Sequence, residues 1–476
     1  MKRDKYRDCF MLYKNLAQLL RLQIQQGGLR PGERLPSIRQ LAASHRVSAA
    51  TAVQACLQLE REGLAEARPR IGYFVRAASQ GLRSTVPPPR APALISNPAL
   101  LDLLLVDDGA HMLPLHAARP APSLLPDATI AAALSRSLRR QREPALGYAP
   151  PQGYAPLRRQ IAQRYASMGV TVDADEIIIT AGAMEAITLA LRVLTRPGDI
   201  VLVETPTYQG ILQTVATLGL QVLELPRLPS GGLDLALLET LLAAQAVRAA
   251  VMVPNFSNPL GLSLDDSTKQ ALLACCARHG TVLVEDDIYG DLAWDDSRPP
   301  PLRRWNDGGA VITCSSFSKT LSPGLRVGWM LGGAWTGELL RAKYFSTVGN
   351  AALPQLAISD YLARHDLERH LRKLRRALAG NASRMRDAID QHWPAGTRMG
   401  EPRGGLSLWI QLPAGSDAAV FSRAALAQGV GVMPGHVFSG NGDYRDHVRL
   451  SCGLPWDDRL DQALRCLGEL AARQGG

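Results

Sequence analysis

Residues 315–329 read SSFSKTLSPGLRVGW. An apolar run, residues 310–314 (AVITC), leads into them, so Ser316, Ser318, Lys319 and Arg326 follow the end of a candidate strand. Five further runs have the same character: 176–180 (EIIIT), 200–204 (IVLVE), 249–253 (AAVMV), 281–285 (TVLVE) and 327–331 (VGWML). Strands this apolar are expected to be buried on both faces, as in a parallel α/β sheet. Ligands collect at the carboxyl ends of such strands. Polar clusters stand there. After 176–180, Gly182, Ala183 and Met184 open a helix whose bare amides can hold a phosphate. After 200–204 comes ETPTYQG, which offers Tyr208 as an aromatic plate, and after 249–253 comes PNFSNPLG with Asn258. After 281–285 comes EDDIYGDL, with Asp286, Asp287 and Tyr289.

Order and spacing decide more than any single cluster. Asn258 precedes Asp286 by 28 residues, and Asp286 precedes Lys319 by 33. Over about residues 115–476 the set resembles the fold type I pyridoxal-phosphate (PLP) aminotransferases. The resemblance implies an α/β large domain with a small C-terminal subdomain, and PLP as cofactor. It implies Lys319 as the residue forming the internal aldimine and Asp286 as partner of the pyridine nitrogen. Asn258 and Tyr289 are implied at the ring oxygen, and Tyr208 on the ring face. Ser316, Ser318, Arg326 and the amides of Ala183 and Met184 are implied at the phosphate. Tyr148, in YAPPQG, matches a tyrosine that reaches the neighbouring subunit's phosphate, which implies a two-fold dimer. Arg449, in HVRLSCG, falls where the family binds the substrate α-carboxylate, and a planar guanidinium suits that bidentate task.

Charge sets the first fifth of the chain apart. The net charge is +10, and residues 1–90 hold 16 Lys+Arg against 6 Asp+Glu, while the remainder holds 37 of each. A basic module joined to a neutral one is indicated, and the module's first expected partner is densely anionic. Residues 12–26 read as an amphipathic helix, with Leu12, Leu16, Leu20 and Ile24 at four-residue spacing. Ser37 and Gln40 form a capping box, Ser48 caps a second helix over about 49–62, and Gly63 stops it. Two short capped helices make a helix-turn-helix, and LAEARPRIGYFV after them reads as a wing.

This spacing resembles the GntR-type winged helix, an α+β fold, over about residues 10–76. It implies double-stranded operator DNA as partner, with contacts from Pro36, Ser37, Arg39, Ser48, Thr51, Arg68 and Arg70. Many relatives carry Arg directly after the Val-Ser pair, where this chain has Ala49. Bidentate reading of guanine from that position is absent. The joined architecture resembles the MocR-type regulators, whose likeness implies a homodimer of head-to-tail form.

The expected organisation is a winged helix over 1–76, a Pro/Ala-rich spacer over 77–97 and the aminotransferase-like domain over 98–476, with an apolar helical pattern at 98–106. No run of about 18 uncharged apolar residues predicts a membrane span. The N-terminus lacks the pattern of a signal peptide. The seven cysteines show no C-x-x-C pair or metal spacing, so no metal is expected, and reduced thiols in a cytoplasmic protein are. Three functions compete: a regulator sensing an amino acid, an amine or PLP through Lys319; a working aminotransferase with an ancillary winged helix; and a domain that binds PLP only for structure.

Overall fold

The computed structural model describes residues 2–26, 28–30, 32–61, 64–68, 71–75, 86–95, 112–228, 230–295, 297–306 and 309–474. The chain divides into two units, Met1–Gly81 and Leu82–Gly476.

In the first unit, the helices Lys2–Gln25, Ile38–Ser44 and Ala49–Arg61 precede a hairpin of β1 (Ala65–Arg68) and β2 (Gly72–Val75). Ser37 and Gln40 form the expected capping box, and the Ser48 hydroxyl accepts from the Thr51 amide at 3.0 Å. Leu16, Ala17 and Leu20 from the first helix meet Leu41, Ala52, Ala55, Cys56 and Leu59 in one small core. Leu12 lies outside it, 45% exposed. Gly63 and Arg70 lie outside the described residues, as does the Arg68 side chain. Pro36, Ser37, Arg39 and Ser48 are exposed, as DNA contacts require. Thr51 is not. It is 2% exposed and its hydroxyl bonds that of Ser48 at 2.8 Å. It sits on the helix face that packs inward, so the expectation that it meets DNA is corrected.

The second unit is built on β3 (Ile177–Thr180), β4 (Ile200–Thr205), β5 (Gln221–Pro226), β6 (Val247–Met252), β7 (Val282–Asp286), β8 (Val311–Ser316) and β9 (Gly328–Leu331). They form one sheet in the order β3-β9-β8-β7-β6-β4-β5. The sheet is mixed rather than parallel: β9 runs antiparallel to both β3 and β8. Helices cover both faces, and apolar clusters fill the space on each side. The smaller sheet is antiparallel: β10 (Arg398–Met399), β11 (Ser407–Gln411), β12 (Met433–Pro434) and β13 (His447–Ser451), in the order β10-β11-β13-β12. Leu113 and Leu115 belong to its core, and backbone bonds tie this early segment to Gly429, Gly431 and Ser451.

The expected spacer is only partly a spacer. Residues 76–85 and 96–111, which include the pattern at 98–106, lie outside the described residues. Ala93 pairs with Val222 on edge strand β5, and Arg90 bonds Asp443 at 2.9 Å. Ile95 packs against the main core, so the proline-rich stretch ends docked on the large unit.

The antiparallel β9 has a local consequence. It brings Gly328 against Gly182, where a Cβ on Gly328 would lie 2.6 Å from the Gly182 carbonyl carbon. Backbone cannot yield as a flexible side chain can. Gly328→Ala is therefore expected to cost about 1–3 kcal/mol by overpacking. A lower midpoint in thermal unfolding checks this, and an unchanged midpoint contradicts it.

Candidate functional site

The carboxyl ends of β3, β4, β6, β7 and β8 bring the sequence-predicted residues together, as strand order dictates. At β3, Gly182 holds φ +113°, a conformation L side chains rarely adopt, and the helix Ala183–Leu194 begins immediately after it. A Cβ there would meet Arg326 Nη2 at 2.6 Å. Arg326 Nη2 donates to the Ala181 carbonyl at 2.5 Å, and its Nη1 to Ser318 Oγ at 3.3 Å. Ser316 and Ser318 hydroxyls lie 2.8 Å apart. Bare helix amides, two hydroxyls and a guanidinium thus converge on one cup, the donor set a phosphate dianion needs.

Three consecutive carboxylates close β7, and their partners distinguish them. Glu285 accepts from the Leu302 amide and Thr313 Oγ1, both at 2.7 Å. Asp287 accepts from Asn255 Nδ2 at 2.8 Å and Arg298 Nη2 at 2.5 Å. Among the described residues Asp286 takes only the Ile288 amide, at 3.2 Å, with no side-chain donor. Burial pushes its pKa up to about 7, and Asp287 adds to that, while the Ile288 bond and Lys319 oppose it. Such a carboxylate lacks a cationic partner.

Lys319 ends β8's turn, half-buried, and donates to the Ala118 carbonyl at 2.6 Å. Burial lowers its pKa to about 8, with Arg449 adding repulsion and Asp286 countering. Arg449 comes from β13, 1% exposed. It donates to the His116 carbonyl, reaches Asn258 Oδ1 at 3.5 Å and lies 5.5 Å from the Phe438 ring. Its Nε has no partner. Among the described residues no carboxylate pairs with it, and burial lowers its pKa to about 10. Asn258 Nδ2 donates to Tyr289 Oη at 3.3 Å, and Ser407 Oγ to Asn258 Oδ1 at 3.4 Å. Burial raises the pKa of both Tyr208 and Tyr289. Tyr148 stands apart, 93% exposed.

Sequence reasoning missed several contributors. The strap of residues 113–119 supplies the carbonyls that occupy Lys319 and Arg449, and backbone groups leave no residue signature. Asn255 and Arg298 support the end of β7 through long-range hydrogen bonds to Asp287. Lys343, fully buried, grips Glu185 at 3.0 Å, and Glu185 in turn accepts from the Ala181 amide at the phosphate cup. Glu239, Cys275 and His279 bring three ligand-type atoms within 4.8 Å of one another, through Cys–His spacing on one helix that a C-x-x-C search passes over. Hydrogen bonds from Cys275, Arg278 and His279 to Glu239 account for that cluster.

Comparison with known proteins defines the class. Residues 120–467 match the aminotransferase class I and II family, and residues 12–75 match the gntR family of bacterial regulatory proteins. The chain is 36% identical to the HTH-type transcriptional regulator YjiR of Escherichia coli, over 97% of this chain and 99% of that protein. It is 34% identical to 2-aminoadipate transaminase of Thermus thermophilus, over 73% of this chain and 87% of that one. Among solved structures, LysN, the alpha-aminoadipate aminotransferase of the same organism, superposes with a TM-score of 0.73 at 32% identity, covering 80% of this chain and 96% of that one. The large unit is therefore a fold type I aminotransferase domain, and its cofactor is pyridoxal 5'-phosphate. The whole chain belongs to the MocR-type GntR regulators, transcription regulators that carry such a domain behind a winged helix.

The residues present fit that cofactor. The cup at Gly182 suits its phosphate, and the unpartnered Asp286 suits a protonated pyridine nitrogen. Lys319, with its lowered pKa, suits attachment to an aldehyde.

Asp286 also makes the cofactor-free fold pH-sensitive. Its folded pKa is raised, so its contribution to stability is present below about pH 4 and is lost as pH rises through about 7. Asp286→Asn should remove that fall. Thermal unfolding of cofactor-free protein at pH 5 and pH 7 is expected to show the variant gaining more over the parent at pH 7. An equal gain at both pH values contradicts this.

Proposed function

We propose that this chain is a PLP-dependent, DNA-binding regulator whose large domain senses a small amino acid, an amine or PLP through Lys319. The observation that carries the reading is Arg449: a buried guanidinium whose Nε, among the described residues, has no partner and which has no carboxylate against it. A buried charge left uncompensated is costly. An effector carboxylate answers it, in bidentate geometry.

Lys319 supplies the amine that holds the cofactor, and Asp286 holds the pyridine-nitrogen proton. Asn258 and Tyr289 bind the ring oxygen, and Tyr208 covers the ring face. Ser316, Ser318, Arg326 and the Ala183 and Met184 amides bind the phosphate. The cofactor itself supplies an electrophilic carbon and an electron-withdrawing ring. Tyr148, exposed in one chain, serves the partner's phosphate across a homodimer, here taken as head-to-tail. The strap of residues 113–119 gives the regulator reading its moving part. Lys319, once it holds the cofactor, would release the Ala118 carbonyl, and Arg449, once paired with an effector carboxylate, would release that of His116. Both ligands thus act on one segment, which follows the tether in sequence. Ligands that favour one strap position shift the population toward it.

On the DNA side, Pro36, Ser37, Arg39, Ser48 and the wing arginines Arg68 and Arg70 contact the operator, in a cytoplasmic protein. No helix among the described residues is long and apolar enough to cross a membrane.

The second reading, a working aminotransferase, is favoured by the complete set of Lys319, Asp286, Tyr289 and Arg449 and by the transaminase relative. Single-turnover spectra with an amino acid panel separate the two: fast turnover indicates the enzyme, slow or no turnover the regulator.

Two outcomes test the assignments. Borohydride treatment followed by peptide mass mapping should fix the cofactor on Lys319, and Lys319→Ala should carry none. Retention of covalent cofactor by that variant refutes the role. Affinity for DNA upstream of the protein's own gene should fall steeply between about 50 and 200 mM salt, as lysine and arginine contacts release counterions. A salt-independent shift contradicts phosphate-anchored binding.

A further inference from the structure

The helix Ala49–Arg61 follows the turn of the helix-turn-helix and is the one that enters the major groove in this motif. Its inward face is settled by packing: Thr51, Ala52, Ala55, Cys56 and Leu59 are all buried. The face left outward over the first two turns is formed by Ala49, Ala50, Val53 and Gln54. Ala49, Ala50 and Gln54 are exposed, and Val53 is half-buried. No cationic side chain stands among residues 49–60, so nothing there can fork onto guanine O6 and N7. The exposed arginines lie ahead of the helix: Arg39, and Arg46, which sits at φ +53° in the turn. They are placed to hold phosphates, which position the protein without reading sequence.

Apolar contact with the thymine C5-methyl is what Ala and Val offer a base edge, and a glutamine amide matches adenine N6 and N7. The Ser48 hydroxyl is engaged in capping, whereas the Gln54 amide has no hydrogen-bond partner among the described residues. We propose that this helix selects A·T base pairs: Ala49, Ala50 and Val53 meet thymine methyl groups, and Gln54 reads adenine. The inference rests on the DNA-binding reading above and names the base chemistry of that site. Specificity here comes from methyl burial and one amide, with the arginines supplying only affinity.

The test uses full-length protein and selection from a random duplex library. Two half-sites are expected, with A·T pairs at the positions protected by the helix. The selected duplex is then remade with deoxyuridine for each thymine, which removes one methyl and nothing else. Binding should weaken roughly fourfold per contacted methyl, the effect of about 0.8 kcal/mol per buried carbon. Gln54→Ala should relax the adenine preference. Ala49→Arg should select guanine and lose its response to uracil at that position. Enrichment of guanine by the parent protein, or indifference to every uracil, overturns the base assignment while leaving DNA binding intact. Absence of any enriched sequence overturns both.

Discussion

A buried guanidinium, a half-buried ammonium and one buried carboxylate meet at the carboxyl edge of the seven-stranded sheet, and their charges do not balance. Lys319 and Arg449 repel each other, and Asp286 has no side-chain donor of its own. Backbone carbonyls from the strap fill in for partners, at His116 and Ala118. Carbonyl dipoles offset a buried charge less well than an ion does. In the proposed function the cofactor and an effector carboxylate supply what is missing. The site is thus a set of deferred ion pairs, each with an identifiable ligand group.

The surrounding structure fixes that imbalance in place. Asp287 and Glu285 on either side of Asp286 are engaged at both carboxylate oxygens, which leaves Asp286, among the described residues, as the carboxylate of the three without a side-chain donor. Antiparallel β9 presses Gly328 against Gly182 and seats Arg326 beside the phosphate cup. Arg449 arrives from a different sheet, whose core is completed by the same early segment that supplies the strap. Lys319, Arg449 and the core of the small subdomain therefore share residues 113–119. In the proposed function this segment is the element that both ligands bias.

Much of this was legible in the sequence because strand-end clusters keep their order. All six predicted strand runs lie within two residues of the observed strands at both ends, 249–253 being shifted toward the carboxyl end of β6. β5 escaped because Gln221 and Glu224 interrupt its apolar run; Glu224 is a buried carboxylate that accepts from the Gly440 amide. The direction of β9 escaped because VGWML reads alike in either sense. Thr51 was misjudged because a polar residue near a helix start can face either way, and only packing fixes the phase. The strap acts through backbone carbonyls, which residue identity does not encode. The docked half of the spacer depends on long-range contacts of Arg90, Ala93 and Ile95, which its own composition does not encode.

The central claim is that the occupied cofactor site governs DNA binding. Its most direct test is operator affinity of the full-length protein, measured with PLP and a panel of amino acids and amines, beside Arg449→Gln under the same conditions. The account predicts that PLP or at least one amino acid or amine shifts the parent's affinity, and that any amino-acid shift disappears in the variant while the DNA affinity without effector is retained. An affinity indifferent to PLP and to every member of the panel would contradict it, and would leave the cofactor a structural element alone.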